Sequence, residues 1–435
     1  MFIRRLAGTA LIAAALIVAV LAGALAAPAT AAPPARPGPP GIQSVTPITQ
    51  VYTYGQKVAA VAVEYAAPVN PWELDADTFT VSDSIYNFRY NPIEDLARRA
   101  DRTVTRVYTN DSIALNPYGR STPGRYVIVE LAAADPGGNT VIAEGRYVKV
   151  NPAQPTLVVQ NEDVYARPGN GVGRGRVLSD ASSTAYPLSG ESVDLLADDF
   201  AYETFVQGGT VLPYAYHLPE DYDPSRDYPL VVILPGHGMG FNGANAGVQV
   251  AADIPATAWL QPEWTGADED VIVLAPQNQR VGAAAESALM VALVKSFMGR
   301  FSVDAERVYA STVSYGSTLA WQTLATEPGL FTAVLLTGGF RVSAAQAAQI
   351  AAHPTPIWIT HGTNDHLLPV AFARDSAVLL RDAYVAAGVD PADAAELIRY
   401  TEYGNDAFSE PDYHAAYGPT YEDASILQWL LGQKG

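Results

Sequence analysis

The chain has 435 residues, 49% of them hydrophobic, which is enough to bury more than one core and favours two or three domains. Its formal charge of −19 at pH 7 repels phosphate backbones and anionic lipid headgroups, which argues against nucleic-acid binding and electrostatic membrane association. With no cysteine, disulfide frameworks, thiolate metal sites, cysteine lipidation and cysteine nucleophiles are all excluded.

Residues 1–31 carry a basic entry (Arg4, Arg5), an apolar run from Leu6 to about Ala27, and the small residues Ala29-Thr30-Ala31. This pattern predicts a cleaved export signal, hence a secreted protein with no membrane attachment after cleavage. An uncleaved anchor is the alternative, because the run is long enough to span a bilayer. The paired arginines leave the Sec and Tat routes both open. Residues 32–41 form a Pro-rich linker. From 42 to 160 come short β-branched or aromatic runs (Lys57–Tyr65, Thr78–Val81, Thr105–Thr109, Gly124–Leu131, Glu144–Val150), separated by turns such as Asp135-Pro136-Gly137-Gly138-Asn139. Their spacing predicts an all-β, immunoglobulin-like sandwich. Residues 161–200 are rich in Gly and Ser and read as a connector.

Over 201–435 the pattern changes to strands alternating with helices. The expected strands are Glu203–Gln207, Leu212–Leu218, Pro229–Leu234, Asp270–Ala275, Arg307–Ser311, Ala333–Thr337, Pro356–Thr360 and Leu397–Thr401. Helices are expected over Ala284–Phe301, Gly316–Thr326, Ser343–Ala352, Ala371–Ala387 and Tyr421–Leu431. Nearly continuous apolar strands between helices predict a parallel sheet covered on both faces, with reactive groups on loops at the strand carboxyl ends. Eight such strands fit an α/β-hydrolase domain, so the expected fold class is α/β, preceded by the β-sandwich.

The chemistry centres on Arg307-Val308-Tyr309-Ala310-Ser311-Thr312-Val313-Ser314-Tyr315-Gly316-Ser317, where a strand runs directly into a helix. A serine at that bend is lifted above the sheet edge, and Ser314 is the candidate nucleophile. Gly316 supplies the small residue needed two positions after it, whereas Thr312 stands where glycine would be expected two positions before, which predicts a slightly opened turn. A helix-capping serine is the bland alternative. A serine alcohol needs a base at neutral pH. In this fold the acid and then the base follow the nucleophile along the chain, which leaves His366 and His414 among six histidines. Asp365 follows the strand at Pro356–Thr360 and is the candidate orienting acid, with Asp406 and Glu402 as substitutes. His366 adjoins Asp365 too closely to turn toward it, so His414 is the candidate base. His361 and His366 lack a third partner for a metal, and no metal or other cofactor is expected. The glycines of Leu234-Pro235-Gly236-His237-Gly238-Met239-Gly240 suit backbone donors, and the N–H groups of Met239 and Tyr315 are expected to form an oxyanion hole.

The stretches PLVVILPGHG, FSVDAERVYASTVSYGSTLAWQ and PIWITHGTNDHLLP, with His414 before the terminal Trp429-Leu430-Leu431, resemble secreted α/β-hydrolase esterases that carry an immunoglobulin-like N-terminal domain. That group is similar to feruloyl esterases, polyhydroxyalkanoate depolymerases and predicted peptidases. The likeness extends to Tyr54-Gly55-Gln56-Lys57-Val58 and Pro123-Gly124-Arg125-Tyr126-Val127 in the front domain. Thr312 and Ser317 depart from the family's glycines, and the loop before His414 lacks the usual G-x-x-H. The resemblance implies hydrolysis of small or polymeric carboxylic esters through an acyl-enzyme. A prolyl-oligopeptidase-like peptidase and a non-catalytic binding protein on the same fold are the alternatives.

Overall fold

The computed structural model describes residues 41–53, 55–85, 98–144, 147–150, 156–169, 173–188, 192–237, 247–252, 254–266, 269–279, 281–409 and 412–435. The expected signal (1–31), nearly all of the linker (32–41) and Met239 lie outside them.

In chain order the front half supplies β1 (Ile42–Tyr52), β2 (Gly55–Tyr65), β3 (Phe79–Ser84), β4 (Arg99–Asp101), β5 (Val104–Asn110), β6 (Tyr126–Leu131), β7 (Val141–Glu144), β8 (Tyr147–Val150), β9 (Leu157–Gln160), β10 (Val164–Tyr165), β11 (Val177–Ser179), β12 (Tyr186–Pro187) and β13 (Val193–Leu195). Two sheets, ordered β13-β1-β2-β6-β5 and β12-β9-β3-β4, form the sandwich. Alternate residues such as Val61 and Val63 of one sheet and Phe79 and Val81 of the other enter a shared core. Arg102 crosses between the sheets. Its buried guanidinium meets Asp83 of β3, the Val58 carbonyl of β2 and Asp135. Burial of that charge is tolerable only because it is paired and hydrogen-bonded.

The segment 161–200 is not a passive connector. β12 pairs with β9 and β13 runs parallel to β1, so these residues complete both sheets of the front domain. Strands of two or three residues are too short to register as alternating patterns, and their Gly- and Ser-rich surroundings hide them. Of the run expected at Glu144–Val150, Glu144 ends β7 and Tyr147–Val150 form β8, and these two strands pair antiparallel.

The second half carries β14 (Ala201–Gln207), β15 (Thr210–His217), β16 (Tyr228–Leu234), β17 (Ile272–Pro276), β18 (Val303–Val313), β19 (Ala333–Thr337), β20 (Ile357–Gly362) and β21 (Ile398–Tyr403). The described helices are α1 (Gly247–Ala252), α2 (Pro262–Thr265), α3 (Ala283–Met298), α4 (Gly316–Thr326), α5 (Ala344–Ile350), α6 (Ala371–Ala386), α7 (Pro391–Leu397), α8 (Tyr417–Tyr421) and α9 (Ala424–Leu431). The eight strands form one sheet, β14-β15-β17-β16-β18-β19-β20-β21, parallel from β17 onward. The expected α/β-hydrolase class therefore holds. β16 is buried along its whole length, with Leu230, Val232 and Leu234 facing one helical layer and Val231 and Ile233 the other. That two-sided burial is why its sequence is an unbroken apolar run. Helices α3 to α6 cover the first face, while α1, α8 and α9 cover the second. Val51, Val141 and Val148 of the front domain join this second core, beside Tyr417 and Tyr421. Among the described residues no helix is long and apolar enough to cross a membrane.

Candidate active site

β18 stays in register with both neighbours through Thr312, which pairs with Leu234 on one side and Leu336 on the other. The chain then turns at Ser314, whose φ of 51° is a left-handed conformation that a non-glycine residue rarely holds. Its amide donates to the Thr337 carbonyl at 2.9 Å, and α4 begins two residues later. Such strain is stored where the surrounding structure over-determines it. The tight point lies at Gly316, where an added Cβ would sit 1.9 Å from the Leu234 carbonyl oxygen. Thr312, expected to open the turn, leaves the ladder intact. Its side chain is buried, and its hydroxyl has no hydrogen-bond partner among the described residues. Ser317 is absorbed differently. Its hydroxyl donates to the Ser314 carbonyl at 2.6 Å and accepts from the Phe340 amide at 2.8 Å. Room for it comes from Gly339, where an added Cβ would lie 2.5 Å from the Ser317 Cβ.

Three side chains distant in sequence meet at the carboxyl rim of the sheet. His414 Nε2 is 3.1 Å from Ser314 Oγ, and its Nδ1 is 2.7 Å from Asp365 Oδ2. Asp365 follows β20, and its carboxylate is wholly buried while the His414 side chain keeps 12% exposure. The other carboxylate oxygen accepts from the amides of Leu367 at 2.8 Å and Leu368 at 2.9 Å. Burial alone would push the Asp365 carboxyl up. Hydrogen bonds from His361, His414 and the Leu368 amide outweigh it and hold the group well below the ordinary carboxylate range. An ionised Asp365 is the partner an imidazole needs if it is to carry positive charge during a proton transfer. The backbone amide of His414 donates to Asp412 Oδ1 at 3.1 Å, fixing the loop from a second side.

Tyr315 carries the amide next to Ser314 and stands at the start of α4, where first-turn N–H groups have no acceptor within the helix. Its hydroxyl donates to buried Glu286 at 2.9 Å, and its ring meets His237 edge-on with centroids 5.4 Å apart. Burial first, and then Glu286, push the Tyr315 phenol up to about 12, so it remains a donor at neutral pH. Met239, the other expected oxyanion donor, falls outside the described residues. Asn278 donates to the carbonyls of Pro235 and Gly236, which precede Met239 in the chain, both at 3.3 Å.

The rival candidates fall elsewhere. His366 is exposed and sits 3.9 Å from Asp412, without contact to Asp365. Glu402 is held by Arg374, and Asp406 lies on the short turn after β21. No group of three or more metal-ligating side chains occurs among the described residues. Sequence reasoning set His361 aside, yet it lies against Asp365 at 3.1 Å. Its signal was the i,i+4 spacing within His361-Gly362-Thr363-Asn364-Asp365. Glu286 and Asn278 had no signal, being single polar residues on a helix and a strand end.

Residues 44–173 match the family profile described as esterase Ig-like N-terminal domain, and residues 212–381 match that described as esterase PHB depolymerase. A probable feruloyl esterase C of Aspergillus terreus is 25% identical over 161 residues, 36% of this chain. That match spans 56% of the relative's own length, so the chain covers little more than half of it. Among solved structures, a thermostable esterase superposes with a TM-score of 0.73 at 26% identity, covering 90% of this chain and all of the other. The likeness to that esterase thus runs through both domains.

Proposed function

We propose that this chain, an esterase of the α/β-hydrolase fold with an immunoglobulin-like N-terminal domain, is exported and cleaves carboxylic esters through an acyl-enzyme on Ser314. The observation that carries this reading is the pair of bonds at His414, to Asp365 at 2.7 Å and to Ser314 at 3.1 Å. Ser314 Oγ attacks the ester carbonyl as its proton passes to His414 Nε2. Asp365 holds the Nδ1–H and stabilises the imidazolium. The carbonyl oxygen becomes an anion and is met by backbone N–H donors, that of Tyr315 among them, each such donor being worth about 10²–10³ in rate. The proton then moves from His414 to the departing alcohol, and water repeats the sequence to release the acid. The chain's own groups supply every proton and charge this requires, so no metal or cofactor is invoked. The substrates are carboxylic esters, small or polymeric.

Purified protein should hydrolyse aryl acyl esters far faster than peptide anilides, and Ser314→Ala or His414→Ala should lower kcat by roughly 10⁴–10⁶. Faster turnover of the anilides would favour a peptidase instead. An active S314A protein would remove the proposed nucleophile. Amino-terminal sequencing of the exported protein should find the first residue just after Ala31.

A further inference from the structure

Asp365 is oriented by more than its bond to His414. His361, the fifth residue of β20, is completely buried, and its Nε2 lies 3.1 Å from Asp365 Oδ2, the same oxygen that His414 Nδ1 reaches at 2.7 Å. The same Nε2 is 3.0 Å from the Leu368 carbonyl. A carbonyl and an ionised carboxylate are both acceptors only, so Nε2 carries the proton and shares it between them. Leu368 closes the circuit, because its own amide donates to Asp365 Oδ1 at 2.9 Å. Among the described residues His361 Nδ1 has no hydrogen-bond partner, so the ring's polar contacts there are directed at the acid and its turn.

We propose that His361 is a positioning residue of the triad, whose Nε2–H locks the Asp365 carboxylate in the rotamer that aims Oδ2 at His414. This rests on the reading of Ser314, His414 and Asp365 given above. The physical case is one of competing donors. A fully buried carboxylate left with three donors could rotate toward whichever bond is strongest, and the two backbone amides both hold Oδ1. Among the described residues, the side chain of His361 alone acts beside His414 on Oδ2, from the strand side of the turn. Misplacing a triad group by about 1 Å is worth up to about a hundredfold in rate. The influence of His361 should therefore appear in kcat and leave KM nearly alone, since nothing places it against substrate.

The test uses the full-length mature protein with three substitutions and counts competent sites by active-site titration. In His361→Gln the side-chain amide nitrogen can stand about where Nε2 stood. In His361→Asn the amide nitrogen stops near Nδ1, out of reach of Asp365. His361→Met has similar length and no donor, and serves if the Asn variant does not fold. H361Q is expected to keep kcat per titrated site within about threefold, and H361N or H361M to lose about tenfold to a hundredfold with KM changed less than about twofold. In an Asp365→Ala background the H361N or H361M loss should shrink below about twofold, because the partner through which His361 acts is gone. Equal activity in the Gln, Asn and Met variants would overturn the proposal, as would the same loss with and without Asp365. Full activity of S314A in the same series would instead overturn the underlying triad, which separates the two failures.

Discussion

Ser314 occupies a backbone conformation that most side chains avoid, and the residues around it show how that is sustained. Within the elbow, the second position after Ser314 is sterically closed. At Gly316 any Cβ would overlap the Leu234 carbonyl of the neighbouring strand. We expect Gly316→Ala to cost at least about 2 kcal/mol in urea unfolding and to cut kcat sharply, since relief requires the start of α4 to move off β16. Wild-type stability in that variant would contradict the account. The position two before Ser314 behaves differently. Thr312 is buried with a hydroxyl that finds no partner among the described residues, a condition that costs free energy. Replacement by isosteric valine, Thr312→Val, should raise stability by about 1 kcal/mol with activity retained, read from the thermal midpoint and ester turnover. A fall in stability would mean that the hydroxyl is satisfied in solution.

At the scale of elements, the sheet was legible because strands buried on both faces are apolar without interruption. β16, β19 and β20 stand in the sequence as PLVVIL, AVLLT and PIWIT. β1 escaped notice because its run, IQSVTPITQVY, mixes Pro, Gln and Ser with apolar residues. The break between α8 and α9 and the short α7 were invisible to periodicity for the same reason that short strands are. Chain order and loop position leave few histidines eligible, and the pair they favour, His414 with Asp365, lies within 2.7 Å in the structure. His361 carries no such mark, because a donor to the acid needs neither the chain order nor the loop position that a base does. The edge of the sheet carries its own prediction. Arg300 first, and then the Tyr214 hydroxyl, hold the Glu203 carboxyl of β14 down to about 2. On the last strand Arg374 does the same for Glu402, also to about 2. A carboxyl whose pKa is depressed in the folded state stabilises fully above its unfolded value, near 4.5 here. That stability is lost as pH falls toward 2. The urea midpoint should drop across this window, and a Glu203→Gln, Glu402→Gln protein should start lower at pH 7 and drop less. Parallel curves for the two proteins would refute the assignment. Both carboxylates are partly exposed, so salt should weaken the effect.

Across the whole molecule, the front sandwich and the hydrolase domain share one core. Val51, Val141 and Val148 pack with Tyr417, Tyr421 and Leu427, and Thr53 donates to Glu422 at 2.6 Å. An added Cβ at Gly418 would lie 2.7 Å from Thr53 Cγ2, so the contact is close at the helix that follows His414. Domains joined by a continuous apolar core unfold together, and calorimetry should record one endothermic transition with equal van't Hoff and calorimetric enthalpies. Two resolved transitions would show that the sandwich is only tethered.

The central claim is that a buried carboxylate and an imidazole from separate loops make the Ser314 hydroxyl reactive. Reaction with a fluorophosphonate, followed by peptide mapping, tests it directly. The account predicts stoichiometric modification at Ser314 alone, and labelling slowed by orders of magnitude in the His414→Ala protein. Modification at another serine, or undiminished labelling without His414, would contradict it.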